Sequence, residues 1–205
     1  EEQLEEQPQQ SLSTDAVFAS TQDLETALTG AYNAAQQSDF MGCNMSFVGD
    51  IMADNGAWRG SFPSMIDISR HAITSDNGEI AGLWRNSYRA INDVNLVLEA
   101  IPNITDAAIA DAGPRIRGEG LFLRGMAYFE MVRFYGKPWG GSSTSGLGVP
   151  IVTMGTSTSG DVVFPSRATV AEVYAQAVSD FTEAASLLPD ANGSGRATRF
   201  AALAY

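Results

Sequence analysis

Apolar residues recur at helical spacing in five separate segments of this chain, and nowhere do they alternate with polar residues over a length that would define a strand. The widest apolar face lies in Arg115 to Gly136, where Ile116, Leu123, Ala127, Met131 and Phe134 are flanked by Leu121, Phe122, Tyr128, Phe129, Val132 and Tyr135. A helix this apolar needs cover from more than one neighbour. Pro114 is read as its first turn, Gly136 as the left-handed residue that ends it, and Pro138 as the bar to its resumption. Arg117, Glu119, Arg124, Glu130 and Arg133 interrupt the run too often for it to cross a bilayer.

The other periodic segments fall on either side of it. From Ser20 or Thr21 to about Gln37 a helix is predicted, with Leu24, Ala27, Leu28, Ala31 and Tyr32 as its stripe and Asp23 and Glu25 near its positive end. A second runs from about Glu79 to Ile101, with Asp76 as its cap and Trp84, Tyr88, Ile91, Asn95 and Leu98 on one face. Asn95 on that face requires a buried partner. Thr169 and Glu172 form a capping box for a helix to about Leu188, with Val173, Ala177, Phe181, Ala184, Ala185 and Leu188 inward. Arg196 to Tyr205 begins a further apolar helix with Phe200, Ala201, Leu203 and Ala204, and its pattern stops mid-course, as in a truncated chain.

Between these segments lie two long irregular stretches. Residues 38 to 78 are rich in Gly, Asn, Asp, Ser and Met and read as a loop with one short helix near Phe62 to Ile68. Residues 137 to 168 read as a second loop, in which Gly148-Val-Pro-Ile-Val-Thr153 is the one apolar, extended piece. Residues 1 to 14, with four glutamates and four glutamines, read as an exposed acidic tether. The pattern therefore predicts an all-α fold of helical hairpins with long irregular loops.

Composition narrows the function classes. With 205 residues, 44% hydrophobic and 18% charged, the chain has the make-up of a folded domain. Its formal charge of −12 disfavours nucleic acid and anionic membrane surfaces as partners, and Lys137 is the sole lysine. One cysteine, Cys43, permits no internal disulfide and reads as a small buried apolar residue. One histidine, His71, is too little for a zinc site or a serine or cysteine protease centre. No phosphate-binding glycine loop is present, because Gly118-Glu-Gly120 sits inside a helix. Asp190-Ala-Asn192-Gly-Ser194-Gly195 begins like a calcium loop, but Ala201 stands where a bidentate glutamate is required, so it reads as a turn. No catalytic residues, metal ligands or cofactor are expected.

One polar stretch stands out. Asp54-Asn55-Gly-Ala-Trp58-Arg59 places a tryptophan among hydrogen-bonding side chains, off any helical stripe. An exposed indole offers an apolar face to a sugar ring, with Asp54, Asn55 and Arg59 able to bond its hydroxyls. The alternative is that Trp58 plugs the core beneath its loop, and the sequence leaves both open.

Taken in order, several motifs resemble the N-terminal part of the SusD/RagB family. They are Leu4-Glu-Glu-Gln-Pro8, Ala27-Leu-Thr-Gly-Ala-Tyr32, Trp84-Arg-Asn-Ser-Tyr-Arg-Ala-Ile-Asn92 with Asn95, and Gly118-Glu-Gly-Leu-Phe-Leu-Arg124 leading to Tyr128-Phe129 and Phe134-Tyr-Gly136. After them come Gly148-Val-Pro-Ile-Val-Thr153, Arg167-Ala-Thr-Val-Ala-Glu-Val-Tyr174 with Asp180, Leu187-Leu-Pro189 and Gly195-Arg-Ala-Thr198. The resemblance implies a tetratricopeptide-like α-α superhelix whose C-terminal half lies beyond residue 205. It also implies a non-catalytic lipoprotein on the outer-membrane surface of Gram-negative Bacteroidota, held to the membrane only through an N-terminal lipid absent from this chain. Its expected partners are a nutrient, usually an oligosaccharide, and a SusC-like TonB-dependent transporter, and its expected site residues are Asp54, Asn55, Trp58 and Arg59. Gly120 and Gly125 stand where the family's central helix usually carries alanine, each costing roughly 1 kcal/mol of helix propensity unless close packing compensates. Without the resemblance, a helical-repeat scaffold for protein partners would be the competing reading.

Overall fold

The computed structural model describes residues 18–205, so the acidic stretch 1 to 14 lies outside the described residues. Among the described residues seven α-helices follow in order: α1 Thr21–Ala35, α2 Asn44–Met52, α3 Pro63–Ser69, α4 Gly78–Ala100, α5 Ile109–Tyr135, α6 Val170–Leu187 and α7 Arg199–Ala204. No strand occurs among the described residues; one isolated antiparallel bridge joins Leu147 to Thr169. The fold is all-α, a tetratricopeptide-like stack of helical hairpins with long irregular connections.

The central helix is longer than its apolar run suggests. It starts at Ile109, leaving Pro114 inside it, because the Asp106 carboxylate accepts the Ala108 and Ile109 N–H groups at 3.0 and 3.2 Å and so caps an earlier turn. The same carboxylate takes the Thr21 N–H and hydroxyl at 2.6 Å each, joining the start of α1 to the α4–α5 turn. Gly136 closes the helix in an extended conformation, φ −87°, and not in a left-handed one. What makes glycine fit there is crowding: an added Cβ would sit 3.2 Å from the Val132 side chain and 3.4 Å from that of Val170.

Helix α5 is wrapped on several sides, as its wide apolar face requires. It packs most extensively on α6, and α4 and α1 cover the remainder. Ile116, Leu121, Ala127, Tyr128, Met131 and Val132 are at most 1% exposed. The glycines on α5 mark where its neighbours come closest. A Cβ on Gly120 would meet Leu98 at 3.2 Å, and one on Gly125 would meet Phe181 at 3.1 Å and the Ala177 carbonyl at 3.2 Å. Close packing thus offsets the helix propensity these glycines forfeit.

Two polar networks run through this core. Glu119, fully buried, pairs with Arg115 at 2.6 Å and Arg196 at 3.3 Å and accepts from Asn192 at 3.0 Å. Arg115 also pairs with Glu25, so α1 and the 190–197 turn meet at one carboxylate. Asn192 spends its amide on Glu119 and the Ala197 carbonyl, which fits the turn reading of that segment. In the second network Arg124 forms a two-pronged pair with Asp180 of α6, at 2.9 and 2.7 Å, and donates to Asn95 of α4 at 3.0 Å. Asn95 thereby has the buried partner its position demands.

Smaller differences from the sequence reading have local causes. Asn77, and not Asp76, caps α4, with its Oδ1 accepting from Glu79 and Ile80 N–H. The capping box of Thr169 and Glu172 is present, with the carboxylate 2.7 Å from the Thr169 N–H. The last helix begins at Arg199, capped by Thr198, and Phe200 and Leu203 face outward at 58% and 62% exposure. Cys43 is exposed, at the non-helical junction between the π-turn Ser38–Gly42 and α2, where it has no core to enter.

Candidate functional site

Residues 38 to 78 are more ordered than their composition suggests. Helix α2, absent from the sequence reading, buries Met45, Val48 and Ile51 on a short stripe and presents Phe47 on its other side. Helix α3 follows with Pro63 in its first turn, one residue from where the apolar pattern places it. The segment is tied to α4 through Glu79, which accepts from Asn44 at 2.8 Å and from Ser64 at 3.3 Å. Asn77 donates in turn to the Ser64 carbonyl at 2.9 Å.

The turn after α2 carries the residues singled out from sequence. Asp54 is left-handed, φ 58°, and its carboxylate lies 3.2 Å from the His71 Nε2 across the loop. His71 is itself left-handed, φ 54°, so two non-glycine residues in an uncommon conformation face each other. Asn55 is exposed and folded back onto Asp50, with its backbone N–H 2.9 Å from the Asp50 carbonyl. Arg59 is exposed and forms no ion pair among the described residues.

Trp58 is neither a free platform nor a full core plug. Its indole is half-buried against the hydrophobic core and sits between Phe47 and Phe62, at 5.9 and 6.0 Å between ring centres. Phe47 meets it edge-on at 77° and Phe62 is tilted at 32°. The backbone of Gly60 lies on the indole: a Cβ there would stand 2.7 Å from Trp58 Cε2. The Nε1–H is buried and has no hydrogen-bond partner among the described residues. An orphaned buried donor costs about 1–3 kcal/mol, so the indole is held in place by its aromatic neighbours and not by its polar atom.

Asp54, Asn55, Trp58 and Arg59 all lie on the connection between α2 and α3, and none of the other three hydrogen-bonds to the indole among the described residues. The structure adds beside Trp58 two residues that sequence reasoning missed. Phe62 is 65% exposed and Phe47 39%, which makes the cluster an aromatic surface and not a single ring. Phe62 could have been found as an aromatic just before a proline-started helix. Phe47 could not, because its helix was not recognised. Trp139, in the second long connection, is 60% exposed and meets Tyr174 at 5.0 Å, apart from this cluster in the chain. Among the described residues no group of histidine, cysteine and acidic side chains is arranged to hold a metal, and no helix is long and apolar enough to cross a membrane.

Comparison with known proteins places these features in context. A SusD-like family model, described as "Starch-binding associating with outer membrane", matches residues 2–205. SusD-like protein P2 of Formosa agariphila is 25% identical over 191 residues, which cover 91% of this chain and 35% of that protein. A SusD superfamily protein from Bacteroides thetaiotaomicron superimposes with a TM-score of 0.80 at 27% identity, over 91% of this chain and 41% of the other. A SusD-like carbohydrate binding protein from Bacteroides vulgatus gives 0.69 at 25% identity, over 90% and 40%. The chain spans about a third of the length of the curated relatives it matches. With a family match over nearly every residue and the same helical architecture in crystal structures, the chain belongs to the SusD-like family.

Proposed function

We propose that this chain is the N-terminal part of a surface lipoprotein that binds a nutrient glycan without catalysis and passes it to a SusC-like TonB-dependent transporter. The observation that carries the binding half is the cluster of Trp58 with Phe47 and Phe62, with the exposed Asp54, Asn55 and Arg59 on the same connection between α2 and α3. Aromatic faces hold the C–H faces of a sugar, and polar side chains bond its hydroxyls. The family description and the relative named as carbohydrate binding support a saccharide as the ligand. Attachment to the outer membrane through an N-terminal lipid, and delivery to the transporter, are proposed for the whole protein, supported by the family description.

The test is calorimetric titration of the full-length protein with neutral oligosaccharides, beginning with maltoheptaose. Trp58→Ala is expected to weaken binding by about 1–3 kcal/mol, the scale of a buried interface aromatic. An unchanged affinity together with a large fall in melting temperature would end the platform reading and turn attention to Trp139. Release of new reducing ends above a heat-killed control would end the non-catalytic reading.

A further inference from the structure

Most arginines of this chain are spent inside it. Arg115, Arg117, Arg124, Arg133, Arg196 and Arg199 pair with carboxylates, and Arg167 donates to the Gly148 and Tyr135 carbonyls. Arg59, Arg70, Arg85 and Arg89 make no ion pair and no side-chain hydrogen bond among the described residues. Two of them, Arg85 and Arg89, stand one turn apart on α4 and line the same cavity.

That cavity, about 390 Å³, lies between α4 and the connection that runs back along it. Its size falls within the range of roughly 300–1,000 Å³ typical of small-molecule sites. The two arginines provide its charge. Val162 and Val163, 45% and 56% exposed, provide an apolar wall. Asn92 fixes the segment, exchanging hydrogen bonds of 2.7 and 3.2 Å with the Thr156 backbone, so the cleft is braced and not a gap under a loose loop.

Like charges four residues apart destabilise a helix unless something anionic lies between them. The nearest acid on α4, Asp93, attracts Arg89 from one turn further on but does not lie between the two arginines. It forms no ion pair, and burial pushes its carboxyl up while Arg89 draws it down. With a net charge of −12 the surface at large repels anions, so a local pair of free guanidiniums beside an apolar wall marks one place where an anion gains.

We propose that this cleft is a second saccharide subsite, separate from Trp58, that takes an acidic sugar: its carboxylate or sulfate lies between Arg85 and Arg89 and its ring against Val162 and Val163. That the anion is carried by a sugar rests on the glycan-binding reading above. The requirement for negative charge rests on the two arginines alone. Guanidinium pairs recognise both oxyanions, so the shared chemistry is an anionic pyranoside.

The test is titration of the full-length protein at low salt with trigalacturonate, with a sulfated galactose disaccharide and with maltoheptaose. At least one acidic probe should bind, and raising the salt to physiological strength should weaken it. The Arg85→Gln, Arg89→Gln double variant should lose about tenfold or more in affinity for that probe, as expected for charge-assisted bonds, at unchanged melting temperature. The same variant should keep its maltoheptaose affinity, and Trp58→Ala should keep its affinity for the acidic probe. Which acidic probe binds identifies carboxylate or sulfate as the preferred anion. Failure of both to bind, binding indifferent to the double variant, or binding lost with Trp58→Ala would each overturn the proposal. Failure of neutral glycans alone would count against the Trp58 site and leave the arginine cleft standing.

Discussion

Residues 38–78 and 137–168 look alike in sequence, each long, rich in small polar residues and without sustained periodicity, yet the protein uses them in opposite ways. The second is moored. Tyr128 donates to the Val152 carbonyl and accepts the Val152 N–H, both at 2.7 Å; Asn95 donates to the Val152 and Met154 carbonyls; and Tyr88 donates to that of Pro150. Buried helix side chains there replace the ladder that an extended segment would find in a sheet. The first segment folds into a π-turn and two short helices, buries Phe40 and leaves Phe47 and Phe62 at the surface. The contrast teaches that length and composition identify irregular chain, whereas the destination of its backbone hydrogen bonds separates a strap moored to the helices from a segment with an exposed aromatic face.

The most severe way to break this contrast is to cut the mooring at its root. Arg124 holds both Asp180 and Asn95, and Asn95 holds the strap. Arg124→Met should destabilise the protein by about 3–5 kcal/mol, because Asp180 is left as a buried, unpaired charge. The loss should appear in chemical denaturation together with faster hydrogen exchange at residues 150–156. Slow exchange there at reduced global stability would show the strap to be independent of the ion pair.

A middle-sized effect is expected on the other side of the comparison. Gly60→Ala puts a methyl group against the Trp58 ring and should cost about 1–3 kcal/mol, as overpacking does, with a displaced Trp58 indole N–H signal in the NMR spectrum. A variant with wild-type stability and an unmoved indole signal would mean that the ring is not seated on this backbone.

The smallest effect concerns acid. Hydrogen bonds from the backbone and hydroxyl of Thr158, and then from Ser157, hold the Asp161 carboxyl below the usual carboxylate range. A depressed folded-state value contributes stability that is present above the ordinary carboxylate range and is lost as the pH falls through the depressed one. The turn at 157–161 should therefore loosen only below the pH at which free aspartate protonates. Amide exchange at Ser157 and Thr158 across an acid titration would register it, and loosening at or above that pH would contradict the sign.

Much of this organisation was legible in the sequence because it rests on periodicity and caps. The stripes of α1, α4, α5 and α6 and the box of Thr169 and Glu172 depend on local spacing alone. Helix α2 was not legible, since Asn44-Met-Ser-Phe-Val-Gly-Asp-Ile-Met52 follows a π-turn, contains Gly49 and has only three buried positions. Pro114 misled for a related reason: the true start of α5 is set by Asp106, whose other bonds reach Thr21 across the fold. At the candidate site Trp58 declared itself as an aromatic in polar company, but Phe47 joins it only through the tertiary path of the chain. Arg85 and Arg89 lie within a family-like motif, whose spacing gives no sign that both are among the four arginines without an ion pair among the described residues. That they stand together on one cavity, while seven other arginines are engaged within the fold, is a tertiary fact.

The strap has one more property, which concerns proteases. No lysine or arginine lies between Lys137 and Arg167, and Arg167 is engaged with three backbone carbonyls, so an enzyme that cuts after basic residues finds no site along the strap's interior. Arg59 and Arg70, by contrast, are exposed in the aromatic segment. Limited digestion with such an enzyme would open the aromatic segment while the connection that braces the helices stays in one piece.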